Sequence, residues 1–247
     1  MNLRTHLLAG HVIPAQPLAL DRHRKFSERH QRALTRYYVA AGSGGLAVGM
    51  QSTQFEIRDP QHNLFRPVLE LAAQTVRAEL AAAPRDFALI AGLCGQTRQA
   101  VAEAELALSF GYQAGLVSMA AFKTEPEAAI VAHVATIAKL IPVVGFYLQP
   151  AVGGRVFSYG FWRQFAEIPG VVAIKMAPFN RYQTIDVVRA VTAAGRDDLA
   201  LYTGNDDTIV ADLLTPFTFE HHGRKVTRRI VGGHGGQGPA FGLGVGQ

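Results

Sequence analysis

The chain has 247 residues, of which 49% are hydrophobic and 17% charged, and it carries a net charge of +5. Its single cysteine, Cys94, excludes an intrachain disulfide and a multi-cysteine zinc site and is typical of a reducing compartment, so we expect a cytoplasmic protein. The sequence opens with no signal-peptide pattern, contains no uncharged apolar run long enough for a membrane helix, and disperses its basic residues. We therefore expect neither membrane nor nucleic-acid partners.

Apolar runs and amphipathic stretches alternate along the chain. Residues 12–15 and 45–49 have the pattern of two strands, separated by an amphipathic helix over 26–41 and followed by a long helix over 63–83. Five further strands begin at positions 87, 115, 143, 171 and 199, so their starts are evenly spaced. Helices with start and stop signals lie between them, at 97–110, at 124–140, from 158 onwards and at 184–194. This spacing matches one strand, one helix and two short loops, and it predicts seven β/α units.

Strands that alternate with helices predict a parallel sheet covered by helices, which is either an open doubly wound sheet or a closed barrel. An open sheet would usually show a G-x-G-x-x-G phosphate-binding pattern after its first strand, whereas the glycine-rich segment 42–45 precedes the second strand. The pattern therefore favours an α/β fold of the TIM (β/α)8 barrel type.

The repeat fails after position 215. Residues 224–231 are predicted to supply the eighth strand, but half of the positions in 232–247 are glycine, and this segment cannot form the helix that should follow. We therefore predict one barrel domain over 1–231 with an incomplete eighth unit and a truncated or altered C-terminal end. A glycine-rich tail over 232–247 is predicted to be disordered.

Lys175 is the most informative single residue. It ends the apolar run 171–174, which has the pattern of a strand buried on both faces, where a charge is not expected. Burial disfavours an ammonium ion, so an amine held there is a candidate nucleophile near neutral pH. The simpler alternative is a lysine that leaves the sheet and extends to water.

In a barrel, the active site is built from the carboxyl ends of the strands. Tyr147 precedes Lys175 by one full period of the repeat, so we predict a phenol and an amine at the same height on neighbouring strands. The amine can condense with the carbonyl of a 2-oxo acid and the phenol can move protons, although Tyr147 can also be a structural tyrosine at the rim. Polar side chains after the second strand, Gln51, Ser52 and Thr53, are predicted to hold a carboxylate.

These elements together resemble a known family. The segments 13–15, 48–49, 145–150, 172–175 and 204–207 are similar, in order and spacing, to the dihydrodipicolinate synthase and N-acetylneuraminate lyase family of class I aldolases. The resemblance covers roughly residues 10–215. It implies a TIM barrel, a Schiff base between pyruvate or a related 2-oxo acid and Lys175, Tyr147 as the catalytic tyrosine, and a homodimer or homotetramer.

The family's carboxylate-binding loop, Gly-Thr-Thr-Gly-Glu, aligns with residues 50–54, where Gln51 replaces a threonine of the proton relay. The second tyrosine of that relay aligns near Phe122, which has no hydroxyl, and Val152 stands where the synthase carries an arginine. These departures argue against dihydrodipicolinate synthesis itself. The resemblance also implies that positions used by the lyase branch to hold substrate hydroxyls are kept, namely Gly204, Asp206 and Asp207.

The predicted function is therefore a carbon-carbon lyase or aldolase that acts on a 2-oxo acid, with an aldehyde as the candidate second partner. The alternative is a catalytically impaired family member that binds or senses a 2-oxo acid. No cofactor is expected beyond the covalent Schiff base. No metal is expected either, because no carboxylate framework accompanies His221, His222 and His234. His133 is expected to be a packing or surface residue, and Cys94 a small buried filler.

Overall fold

The computed structural model describes residues 1–50, 54–221 and 223–235. A seven-stranded sheet forms its centre, and every neighbouring pair of strands in it is parallel. In spatial order the strands are β1 (Gly45–Val48), β2 (Ala88–Leu93), β3 (Ala114–Ser118), β4 (Val143–Leu148), β5 (Val171–Ala177), β6 (Ala200–Thr203) and β9 (Gly232–Gly233). A separate antiparallel hairpin is formed by β7 (Phe217–His221) and β8 (Arg224–Arg228).

The sheet curls until its two edges approach the same segment of chain, residues 11–16. Val12 bridges to Gly233 of β9, while Ala15 bridges to Ala47 of β1, both in parallel orientation. Backbone hydrogen bonds of 2.9 Å join Ile13 N to the Gly233 carbonyl on one side and Ala47 N to the Pro14 carbonyl on the other. The carboxyl ends of the strands therefore converge around one centre.

Helices cover the outside of the sheet and one end of it. They are α1 (Leu3–Leu8), α2 (Glu28–Ala40), α3 (Phe65–Ala82), α4 (Thr97–Ser109), α5 (Glu127–Ile137), α6 (Tyr159–Glu167), α7 (Arg181–Ala193) and α8 (Ile209–Leu214). At the amino-terminal end of the strands, His6 of α1 bonds the Gly44 carbonyl (2.7 Å), and the Tyr202 hydroxyl donates to the Leu7 carbonyl (2.8 Å). With α1 over that end, the carboxyl ends of the strands are left for a site.

The alternation of strands and helices and the curled parallel sheet are confirmed. The sheet separates two apolar clusters, because successive side chains of a strand point to opposite faces. The outer cluster lies between sheet and helices and includes Ile174 and Met176, whereas the inner cluster includes Phe146 and Tyr202. None of the helices in the described ranges is long and apolar enough to cross a membrane.

The predicted position of the last sheet strand is wrong. Residues 224–228 form β8 of the exposed hairpin, since their basic side chains do not suit a sheet covered on both faces. The strand that pairs with β6 is Gly232–Gly233, so a tail beginning at Gly232 starts too early. A Cβ atom on Gly232 would lie 2.4 Å from the His11 carbonyl oxygen and 2.4 Å from the Tyr202 ring, so this close packing requires glycine. The predicted tail from 236 to 247 lies outside the described residues.

Candidate active site

Lys175 lies inside the curled sheet. Its side chain is only 2% exposed, and in the ladder it pairs with Phe146 of β4 and Tyr202 of β6, both members of the inner cluster. The ammonium nitrogen Nζ stands 4.5 Å from the centroid of the Phe146 ring. The alternative of a lysine that extends to bulk water is therefore wrong.

The buried position changes the acid–base behaviour of Lys175. Loss of hydration lowers its pKa from 10.5 to about 8, and the nearby Asp206 carboxylate opposes this by favouring the charged form. At pH 7 about a tenth of the side chain is then the neutral amine, several hundred times more than for a lysine in water. A larger neutral fraction makes the amine a better nucleophile at this pH than a lysine in water.

The loop after β6 borders the amine. A Cβ atom on Gly204 would lie 2.9 Å from Lys175 Cε, so any other residue at this position would push the lysine chain aside. Asp206 is half-buried, and burial raises the pKa of its carboxyl, while the Lys175 charge acts in the opposite direction. Asp207 is exposed to solvent. The structure thus brings Gly204 and Asp206 to Lys175 and leaves Asp207 further out.

Asn205, which was not among the predicted site residues, holds this loop in place. Its side chain is 2% exposed and donates to Asp212 Oδ2 (2.9 Å) and Thr184 Oγ1 (3.1 Å), while its oxygen accepts from the Phe179 amide (2.9 Å). The Thr203 hydroxyl donates to the same Asp212 oxygen (2.7 Å). The loop is thereby tied to α7 and α8. The signal in the sequence for this role is a polar residue inside the loop, between Gly204 and Asp206.

The predicted pairing of Tyr147 with Lys175 is wrong. A bulge in β5 inserts one residue opposite the step from Val143 to Val144, and beyond it Phe146 pairs with Lys175, while Tyr147 pairs with Met176. Because strand side chains alternate between faces, this one-residue shift turns the phenol away from the amine. Tyr147 and Lys175 are one repeat apart in the sequence, but the bulge means that they are not paired across the two strands.

Tyr147 instead packs between the sheet and the helices. Its ring centroid is 4.9 Å from that of Trp162 and 5.9 Å from that of Phe157, and its hydroxyl donates to Gln183 Oε1 (3.0 Å). Burial raises the pKa of the phenol. These contacts support a structural role for Tyr147, which was the alternative to a catalytic one.

His234, which the sequence pattern suggested only as a candidate metal ligand, follows the last strand. The residue is 1% exposed, and its backbone N–H donates to the Thr203 carbonyl (2.7 Å). Neither ring nitrogen has a hydrogen-bond partner within the described residues. Burial, and then the Lys175 charge, hold the pKa of the imidazole well below its usual range. Across the described part of the chain, no group of three histidine, cysteine or acidic side chains is arranged to hold a metal ion.

The opposite side of the centre is held by a buried ion pair that was not predicted. Arg58 Nε donates to Glu103 Oε1 (2.7 Å), and the same guanidinium donates to the carbonyls of Gly49 (2.7 Å) and Gly92 (2.9 Å), at the ends of β1 and β2.

Burial raises the pKa of the neighbouring Cys94 thiol to about 12, which agrees with the prediction of a small buried packing residue. The predicted carboxylate-binding residues, Gln51, Ser52 and Thr53, lie outside the described residues.

No protein-family model and no curated protein sequence matches the chain. Its fold, in contrast, is that of solved members of the dihydrodipicolinate synthase and N-acetylneuraminate lyase family. A catalytic lysine mutant of Ruminococcus gnavus sialic acid aldolase superposes with a TM-score of 0.72 at 18% identity, over 92% of this chain and 67% of the other. For the N-acetylneuraminate lyase of Fusobacterium nucleatum the TM-score is 0.70 at 17% identity, over 93% and 70%.

A chloride-inhibited dihydrodipicolinate synthase from Acinetobacter baumannii, complexed with pyruvate, gives a TM-score of 0.68 at 20% identity over 81% of this chain. The match covers 65% of that enzyme, so the chain spans slightly less than two thirds of it. At these identities the likeness establishes the fold alone.

Proposed function

We propose that the protein is a lyase or aldolase that binds pyruvate or a related 2-oxo acid as a Schiff base on Lys175. The observation that carries the proposal is an amine only 2% exposed, at the centre of the curled sheet, with a pKa lowered to about 8. A buried amine destabilises a fold, so its presence at this point is best explained by covalent chemistry.

The chemistry follows from the electron demand of the substrate. Addition of the amine to C2 of a 2-oxo acid and loss of water give an iminium ion, which accepts the electron pair of a breaking bond at C3. Asp206 balances the positive charge of the iminium across the site. Asp206 and Asp207 are also the acceptors available for hydroxyl groups of a second substrate or product, which favours a polyhydroxylated carbon chain over an apolar one.

The bridges from residues 11–16 to β1 and β9 support a closed barrel with eight strand positions, which would enclose the reacting atoms. Gln51, Ser52 and Thr53 are proposed to bind the substrate carboxylate at the rim. A homodimer or homotetramer and a cytoplasmic location also remain part of the proposal.

A second candidate is a 2-oxo-acid-binding protein with little turnover. The orientation of Tyr147 favours it, because the phenol bonds Gln183 on the helix side of the sheet and does not reach the amine. Such a protein would form the Schiff base with pyruvate and yet break or make no carbon-carbon bond.

Borohydride trapping tests the first step of both candidates. Incubation with pyruvate and sodium borohydride should attach a 1-carboxyethyl group to the Lys175 nitrogen, located by peptide mass spectrometry. Lys175→Met should abolish the label, whereas Lys139→Met, at an exposed lysine on the outside of the fold, should label like the unchanged protein. Absence of a label with every 2-oxo acid tried would refute the Schiff-base proposal. Release of pyruvate from a sialic-acid-like substrate would then separate the aldolase from the binding protein.

A further inference from the structure

His234 and Lys175 border the same point inside the sheet. Tyr202 pairs with Gly232 and faces the interior, whereas Thr203 pairs with Gly233 and directs its hydroxyl outwards to Asp212. By alternation His234 faces the interior. A Cβ placed on Gly204 would be 2.9 Å from Lys175 Cε and 3.0 Å from the His234 carbonyl oxygen, so both residues lie next to that glycine.

The proposed chemistry needs a group that moves protons, and the described neighbours of Lys175 offer three. The Tyr202 hydroxyl is committed to the Leu7 carbonyl at 2.8 Å, towards the closed end of the sheet. Asp206 is the counter-charge of the amine. His234 remains. It is buried, and neither of its ring nitrogens is committed to a hydrogen bond within the described residues.

We propose that His234, resting on the function proposed above, is the proton-transfer group of the Schiff-base site. A neutral imidazole carries one acceptor nitrogen and one donor nitrogen, so it can take a proton and return one without adding a charge to the resting site. A buried polar group without a partner costs free energy, and a substrate that uses both nitrogens would remove that cost.

The proton balance of the reaction assigns the steps. The neutral Lys175 amine adds to the substrate carbonyl, and the alkoxide takes one proton from water, which releases a hydroxide ion to the solvent. His234 then removes a proton from the positively charged nitrogen of this adduct and delivers it to the hydroxyl, which leaves as water and yields the iminium ion. In the next step His234 takes a proton from C3, and the C–H electron pair forms the enamine double bond.

Exchange of the pyruvate methyl protons with deuterium oxide, followed by NMR, reports the C3 step directly. His234→Gln should keep borohydride labelling of Lys175 at long incubation with saturating pyruvate, while slowing methyl exchange about 100-fold or more. His234→Gly with added free imidazole should recover part of the exchange, which a merely structural role would not do. His133→Gln is the matched control, because His133 is also buried and has an unpartnered ring nitrogen but packs against Phe122 in the outer layer.

The outcomes are distinguishable. If the unchanged protein is not labelled by pyruvate and borohydride, the proposed function fails. If it is labelled and His234→Gln exchanges the methyl protons as fast as the unchanged protein, the function stands and the role of His234 is overturned. Should the variants fail to fold, NMR of the unchanged protein with ¹³C-labelled histidine provides the test. One histidine ring should shift on addition of pyruvate, and no shift would overturn the role.

Discussion

Replacement of Lys175 by methionine should make the protein more stable at neutral pH. Methionine has nearly the length of lysine and fits the inner cluster, but it has no charge to desolvate. In the folded protein the pKa of Lys175 is lowered from 10.5 to about 8, and the difference corresponds to about 3 kcal/mol of lost stability at any pH below 8. The variant is expected to recover most of that free energy.

The sign of the pH dependence follows from proton binding. Between about pH 8 and 10.5 the unfolded chain holds a proton on Lys175 that the folded protein lacks, so the stability of the unchanged protein rises with pH across this window. Below pH 8 both states are protonated and the full penalty is present. The advantage of the variant should therefore be constant at acidic and neutral pH and shrink towards zero as pH approaches 10.5.

Urea unfolding at pH 6, 7, 8, 9 and 10, followed by circular dichroism, measures this difference. Loss of the lysine also removes the charge that lowers the pKa of Asp206, so Asp206→Asn should be measured alone and combined with Lys175→Met to separate that effect. Lys139→Met measures the general effect of the same substitution at an exposed site. A variant that is less stable than the unchanged protein at pH 7, or a difference independent of pH, would refute the reasoning.

Three further outcomes are expected. Asp206→Asn should move the midpoint of Schiff-base formation with pyruvate below pH 8, because the carboxylate favours the charged amine; a midpoint that stays or rises, measured by trapping rate against pH, would contradict this. Tyr147→Phe should lose the bond to Gln183 and about 1 kcal/mol of stability, with the trapping rate unchanged, whereas a large fall in that rate would return the phenol to the site. Gly204→Ala should reduce labelling of Lys175 while leaving circular dichroism unaltered, since its methyl group would lie 2.9 Å from the lysine chain; full labelling would show that the chain moves aside.

Much of the architecture could be predicted from the sequence. The even spacing of the apolar runs matched strands that begin at Val143 and Val171, and predicted helix bounds such as 63–83 lie close to the observed Phe65–Ala82. Lys175 stood out because a charge that ends a β-branched apolar run has few explanations. These signals are local: the alternation of strands and the helical period repeat within each element and do not depend on distant parts of the chain.

Three features depended on the tertiary structure. The bulge in β5 decided that Phe146, and not Tyr147, faces the amine, because a shift of one residue reverses the face of every side chain beyond it. The last strand fell at Gly232–Gly233, where glycine has no strand propensity of its own and is required only by the close approach of neighbouring backbone. His234 lies at the site because it directly follows that strand. Its position beside Lys175 depends on contacts between residues far apart in the chain, so the spacing of residues along the sequence could not determine it.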